Sequence, residues 1–213
     1  VGLNYKDERQ AALQWLEKLG DPYEFIIDDP KGSLGFNLGV YGAPETYIVD
    51  QYGVVSETLL TAKGCPLDSA AGAYVVFDVG DSYFEEHDGG LRIRFVRTTR
   101  IKILDQSELS LGNITIPYYK GKDGRSEIIR SIEATAYNYE DGRIVKSTLS
   151  EDQIFSEKIN DYWRSSRFAI PNVRAGTVIE YKYELVSPYH FNLPDWAFQR
   201  EIPTQYSEYQ VAL

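Results

Sequence analysis

A chain of 213 residues has room for one large domain or two small ones, and 43% hydrophobic with 25% charged residues is ordinary for a globular protein. A formal net charge of −10 repels phosphate backbones, which excludes nucleic acid as an expected partner. No apolar run approaches the ~18 residues a membrane helix needs, and one cysteine with two histidines far apart in sequence (Cys65, His87, His190) gives neither an internal disulfide nor a thiolate zinc site.

In chain order, residues 1–55 alternate strand and helix signals. "VGLNY" is expected to be a short apolar strand, and a chain that starts inside it at Val1, without Met, is expected to have had its beginning removed or never recorded. In "ERQAALQWLEKLG", Ala11, Ala12, Trp15, Leu16 and Leu19 recur at helical spacing. Asp7 is the expected cap, Gln10 sits where a capping-box partner would, and Gly20 supplies the stop. "YEFIIDD" is a second strand, and "TYIVD" with "GVVSETLL" is expected to form a hairpin across Gln51, Tyr52 and Gly53.

From about residue 70 the pattern is mostly β: "AYVVFDVGDSYFEE", "LRIRFVRTTRIKILD", "ITIPYY", "IRSIEATAYNY", "RIVKSTL", "TVIEYKYELVS" and "YSEYQVAL". The 17 tyrosines suit half-buried strands. In "TVIEYKYEL", Ile179, Tyr181, Tyr183 and Leu185 are expected on a buried face, with Glu180, Lys182 and Glu184 on a wet one. Asp141-Gly142 marks a hairpin turn. One helix is expected in "SEDQIFSEKINDYW", with Ser150 and Gln153 as its capping box and Ile154, Phe155, Ile159 and Trp163 as its stripe. Many strands between turn signals predict a β-sandwich.

The words "GLNYKDERQAALQWLEKLGDPY", "DPKGSLGFNLGVYGAPETYIVD" and "YGVV" resemble the second part of the thioredoxin-like, thiol:disulfide interchange proteins of cytochrome c maturation. That resemblance implies a cis Ala43–Pro44 bond in a loop that sets a backbone edge beside a partner's cysteine. It also implies that the family's first strand and its Trp-Cys-x-x-Cys helix precede Val1, so this stretch is expected to be an incomplete, redox-dead remnant with open sheet edges. A second set of words, from "KGCPLDSAAGAYVVFDVGDSYF" through "RTTRIKILDQ" to "IEATAYNYEDGRIVKSTLSEDQIF" and "PDWAFQREIPTQYSEYQV", resembles a domain of unknown function that precedes bacterial transglutaminase-like domains. It implies a β-rich envelope module whose catalytic neighbour would lie beyond Leu213. The join falls near residues 55–60 and is open to three origins: a natural fusion, a cloning chimera or a mis-assembled reading frame.

The expected architecture is therefore α+β. Residues 1–55 form a partial thioredoxin-like α/β segment, 56–69 a junction, and 70–213 a mostly antiparallel β-sandwich with one helix. Candidate sites are few. Ala43, Pro44 and Glu45 could receive an extended peptide as an added strand, or be an inherited turn. His190, Trp196 and Tyr206, in "SPYHFNLPDWAFQREIPTQYSEY", could line a surface groove, or plug the sandwich together with Phe191, Phe198 and Tyr209. Cys65 lacks a nearby base in sequence and is expected to be a structural or merely exposed thiol. Asp28, Asp29 and Asp50, and Asp78, Asp81, Glu85 and Glu86, match no calcium loop and are expected to be solvated. The basic strand "RIRFVRTTRIK" is expected to be a solvated sheet face, and Asn113-Ile114-Thr115 is a glycosylation sequon in spelling only. No catalytic residue, metal or cofactor is expected. Expected partners are a peptide, a glycan, an adjacent domain, or a second copy joined through exposed strand edges, with no nucleic acid and no membrane span. By resemblance the location is the periplasm or cell envelope. The competing reading is a thiol:disulfide oxidoreductase of cytochrome c biogenesis in the full-length parent.

Overall fold

In the computed structural model, which describes residues 2–5, 8–20, 26–31, 55, 57–87, 90–121 and 124–212, the chain falls into two units, Val1–Gln51 and Tyr52–Leu213. In the first, β1 (Gly2–Tyr5) and β2 (Ile26–Asp29) pair in parallel, Gly2 opposite Ile26 and Tyr5 opposite Asp29. A parallel pair needs a crossover, and α1 (Arg9–Leu19) supplies it. The helix ends where expected: Gly20 takes a φ of +94° and its N–H donates to the Leu16 carbonyl at 2.8 Å. Its cap position is Glu8, whose side chain does not cap the helix, while Asp7 lies outside the described residues. Leu16 is buried but Trp15 is 61% exposed, so the apolar stripe is wider than the face the helix covers. The expected hairpin across 51–53 and the whole of Ala43, Pro44 and Glu45 also lie outside the described residues.

The second unit opens with α2 (Glu57–Thr61), where an extended strand was expected. The Thr61 hydroxyl donates to the Glu57 carbonyl at 2.9 Å, and Leu60 is drawn inward against Val55 and Val178. The strands are β3 (Ala73–His87), β4 (Gly90–Ile103), β5 (Asn113–Tyr119), β6 (Ile128–Glu140), β7 (Arg143–Thr148), β8 (Phe155–Lys158), β9 (Trp163–Ala169), β10 (Val178–Ser187) and β11 (Ser207–Ala212). They form a six-stranded sheet, β11-β3-β4-β10-β6-β7, and a three-stranded one, β5-β9-β8. Every pairing is antiparallel except β11 with β3. Asp141 and Gly142 both take positive φ, 48° and 77°, which is the turn a two-residue hairpin between β6 and β7 needs.

Ile93, Phe95 and Ile103 of β4 and Ile179 of β10 share one buried cluster with Ile116 of β5 and Phe168 of β9. Side chains from both sheets thus fill one core, which is a β-sandwich. Residues 188–206, between β10 and β11, form a strap whose end runs along the edge of β3. Trp196 and Ile202 of the strap pack on the same core. The strap is tied down by backbone bonds from Val75 N–H to the Pro203 carbonyl (2.8 Å) and from Asp78 N–H to the Tyr206 carbonyl (3.0 Å). The opposite face of β3, β4 and β10 is covered by the segment before β3: Cys65 packs on Tyr74, Val76 and Phe77, and Leu60 on Val178.

That covering explains two departures from the sequence pattern. The basic strand is not solvated: Arg100 is 4% exposed and Lys102 fully buried, with Arg100 paired to Glu180 and Arg94 to Glu184 across β10. For the same reason the second face of β10 is only partly wet, since Glu184 is buried and paired with a half-exposed Arg94 while Lys182 stays exposed. A third departure is the expected helix over 150–163. Gln153 does accept from the Ser150 N–H at 3.0 Å, but it closes only a 3-10 turn, Glu151–Gln153. The chain then runs into β8 and turns back into β9. Asn160 makes that turn, its side-chain oxygen accepting from the Tyr162 and Trp163 N–H groups at 2.9 and 3.0 Å. Asparagine bonding its own backbone two and three residues on competes directly with a helix.

Candidate functional site

Asp78 is 1% exposed on β3 and sits at the hub of a charge network beneath the strap. It accepts from Arg97 (2.9 and 2.6 Å), from the Thr99 hydroxyl (2.8 Å) and from Arg200 of the strap (3.1 and 2.6 Å). Burial by itself would raise the Asp78 carboxyl; the hydrogen bond and charge of Arg97, then Arg200 and Thr99, override it and hold the group below its ordinary value. The expected solvated acid is in fact a buried anion with two guanidinium partners, which leaves it neither proton-accepting nor free to ligate. Arg97 also lies over the Trp196 ring, 4.6 Å from its centroid.

Trp196 is held by this arrangement as well as by its own contacts. Its indole N–H donates to the Ser207 hydroxyl at 3.1 Å, and its ring stacks on Tyr209 at 5.2 Å and meets Phe95 edge-on at 6.3 Å. It lies directly over Gly80, where a Cβ would come within 2.4 Å of the indole, so β3 needs glycine there. Tyr206 packs instead with the Cys65 and Tyr74 cluster and donates its hydroxyl to the Glu208 carboxylate. Trp196 and Tyr206 therefore serve opposite faces of the sheet. His190 stands apart from both, against Phe191, which is 93% exposed. The structure does not bring these three into one groove.

Two other ionisable groups are tied into the packing. Cys65 is buried, and its sulfur accepts from the Leu67 N–H at 3.4 Å. The Lys102 ammonium reaches the Leu60 carbonyl at the end of α2 (2.7 Å) and the Gly176 carbonyl (2.6 Å). Burial, then the charge of Lys63, lowers it from 10.5 to about 8. Among the described residues no group of His, Cys, Asp and Glu side chains could hold a metal ion. None of their helices is long and apolar enough to cross a membrane.

Two surface clefts stand out among the described residues of this unit. The larger, about 450 Å³, is lined by Asn138, Glu140, Asn172 and Arg174 among others, but these groups satisfy each other. Asn138 donates to the Asn172 carbonyl (3.0 Å) and accepts from Thr177 (2.6 Å) and Arg174 (3.2 Å), and Arg174 also pairs with Glu140 (2.6 Å). The smaller, about 310 Å³, lies at the mouth of the sandwich between β5, β9 and the start of β6. Tyr118, Ile128 and Ile129 give it apolar walls; Lys120, Ser126, Glu127, Arg164 and Ser166 give it polar groups. Glu127 is already engaged, its two oxygens accepting from the Tyr119 N–H (2.7 Å) and the Ser187 hydroxyl (3.0 Å). Among the described residues, no carboxylate pairs with Lys120 or Arg164.

Alternation along β5 puts Tyr119 on the other face from Tyr118, so a ring cluster shares this strand end with the cleft. Tyr119 lies parallel to Tyr162 at 6.4 Å and meets Trp163 and Tyr189 edge-on at 5.6 and 5.4 Å. Tyr162 and Trp163 are 44% and 41% exposed, and Phe155 of β8 is 65% exposed. The sequence reading missed both features. The cleft joins residues 118–129, at the end of β5 and the start of β6, to Arg164 and Ser166 of β9, and only the in-out alternation of Ile116, Tyr118 and Lys120 could have pointed to it. Trp163 was read into a helix that does not form.

Compared with known proteins, the chain is 58% identical over 55 residues to the thiol:disulfide interchange protein DsbE of Haemophilus influenzae, a stretch that is 26% of this chain and 30% of that one. DsbE of Escherichia coli is 54% identical over 55 residues, again 26% of this chain and 30% of the relative. The chain thus spans about 30% of the length of these curated relatives. A solved chain from Parabacteroides distasonis aligns with a TM-score of 0.40 at 13% identity, over 55% of this chain and 23% of that one, a likeness too slight to carry an argument. Both resemblances drawn from the sequence hold: a DsbE-like segment is present, and residues 92–213 match the domain of unknown function DUF3857. That match takes in more than half of the residues, and the chain belongs to the DUF3857 family.

Proposed function

We propose that this chain is a binding module of the bacterial cell envelope, without catalysis of its own. In this reading the DUF3857 domain presents a surface to a peptide, a glycan or an adjacent domain, and the DsbE-like segment is a redox-dead remnant. The observation that carries it is where the reactive groups lie. Asp78, Lys102 and Cys65 are buried and bonded inside the second unit, while Phe155, Tyr162 and Trp163 face outward. Tyrosine and tryptophan on a surface supply large, rigid contact area with a polar tip, which suits recognition. Thiol exchange needs an attacking thiolate and a second sulfur to resolve it, and the sequence holds one cysteine. Location in the periplasm or envelope, a transglutaminase-like neighbour, and pairing of two copies through free strand edges rest on the same proposal.

The second reading, thiol:disulfide exchange in a full-length parent, is favoured by the 58% identity to DsbE over 55 residues. An assay on the whole chain with a mixed glutathione disulfide tests the binding-module reading. We expect no turnover above that of a Cys65→Ser variant; turnover that depends on Cys65 rejects the binding-module reading.

A further inference from the structure

We propose that the cleft between β5, β9 and β6 binds the C-terminal carboxylate of an extended peptide whose last side chain is apolar. The argument begins with charge. The chain as a whole is acidic, at −10, yet this cleft holds two cations, Lys120 and Arg164, against the single carboxylate of Glu127. Both Glu127 oxygens are already taken, by the Tyr119 N–H and the Ser187 hydroxyl. The surplus is positive and sits beside the low-dielectric wall of the core, where an anion gains more than it would in bulk water. Arginine's planar fork matches a carboxylate with two parallel bonds, and Lys120 adds a second, mobile charge.

The choice of a peptide rests on what the rest of the lining offers. An acidic sugar carries hydroxyls all around its ring and needs acceptors as well as donors. The cleft provides two serine hydroxyls, an engaged carboxylate and an apolar wall of Tyr118, Ile128 and Ile129. That lining suits one anion flanked by an aliphatic side chain. At about 310 Å³ the space takes one residue and its terminal carboxylate, and is too short for the tail of a fatty acid. From Ile128 to Arg130, β6 pairs with β10 on one edge only, and this stretch with Pro117 of β5 leaves strand backbone at the rim, along which the preceding residues of a peptide can lie.

The test is calorimetric titration of the whole chain with acetylated tetrapeptides ending in leucine, as free acid and as amide, and with trigalacturonate. The free acid should bind at least about tenfold more tightly than the amide. Arg164→Gln should remove that preference, and Arg164→Lys should restore part of it. If Arg164→Gln fails to fold, judged by its near-ultraviolet dichroism, the exposed Lys120→Gln carries the test, with the preference reduced. Equal binding of acid and amide, binding of neither, or binding of trigalacturonate alone overturns the proposal. The inference deepens the binding-module reading, but the two fail differently: acid and amide binding equally well sinks the cleft alone, whereas Cys65-dependent thiol turnover sinks the module.

Discussion

Asp78 is the residue on which the covering of the second unit turns. A carboxylate that is 1% exposed is costly to bury, and what offsets the cost here is five donor contacts from Arg97, Arg200 and Thr99. Removing the anion leaves two guanidinium groups facing one another at side-chain exposures of 20% and 24%. They reach some water, so the loss should fall at the lower end for a broken buried pair, about 3 kcal/mol for Asp78→Asn in urea unfolding. The pH dependence follows from the direction of the shift. The native carboxyl sits below its unfolded value, so its contribution is complete above the unfolded value near ~4 and is lost as pH falls through the native one. The stability difference between the natural chain and Asp78→Asn should therefore be flat at neutral pH and shrink below about pH 4. A difference that stays constant into acid would show that the Asp78 carboxyl is not what the arginines hold.

At the scale of elements, local chemistry was legible and long-range covering was not. Asp141-Gly142 reads as a hairpin because few residues accept positive φ at two successive positions, and both do so here. The strands of the large sheet read from alternation and β-branched or aromatic content. The capping box of Ser150 and Gln153 was also legible, yet it starts a single turn, because a box fixes where a helix begins and not how far it runs. Phe155 and Trp163, taken as one stripe, turn out to be strand residues on either side of a reversal at Asn160. The cleft with Lys120 and Arg164 had no local sign beyond the alternation of β5, since β9 meets residues 118–129 only through sheet pairing. The role of Asn160 is testable. Asn160→Ala removes two side-chain acceptor bonds to backbone N–H groups at a solvent-exposed turn, a loss of about 1 kcal/mol. Hydrogen exchange should quicken across 155–169 while the β3–β4 hairpin keeps its protection. Uniform loss across both regions would mean that the turn supports the whole sandwich.

For the whole molecule, the described parts of the two units differ in how much backbone they lock. In the second, β3 and β4 pair over a 14-residue strand, β10 lies between β4 and β6, and a core fed by two sheets and a strap lies beneath. Opening β4 or β10 means breaking ladders on both sides and exposing Ile93, Ile103 and Ile179, each worth about 1.5–3 kcal/mol when buried. In the first, the described sheet is a four-residue parallel pair, bridged by an 11-residue helix that leaves Trp15 and Leu13 exposed. A two-stranded ladder of that length is marginal in water, and an 11-residue helix adds little by propensity alone. Local opening should follow this difference. In hydrogen-exchange mass spectrometry of the intact chain near neutral pH, peptides covering β1, α1 and β2 should exchange within minutes. Those covering β4 and β10 should stay protected for hours. If β1 and β2 prove as slow as β4, the first unit draws its stability from something other than its own ladder and helix, and the two units open together.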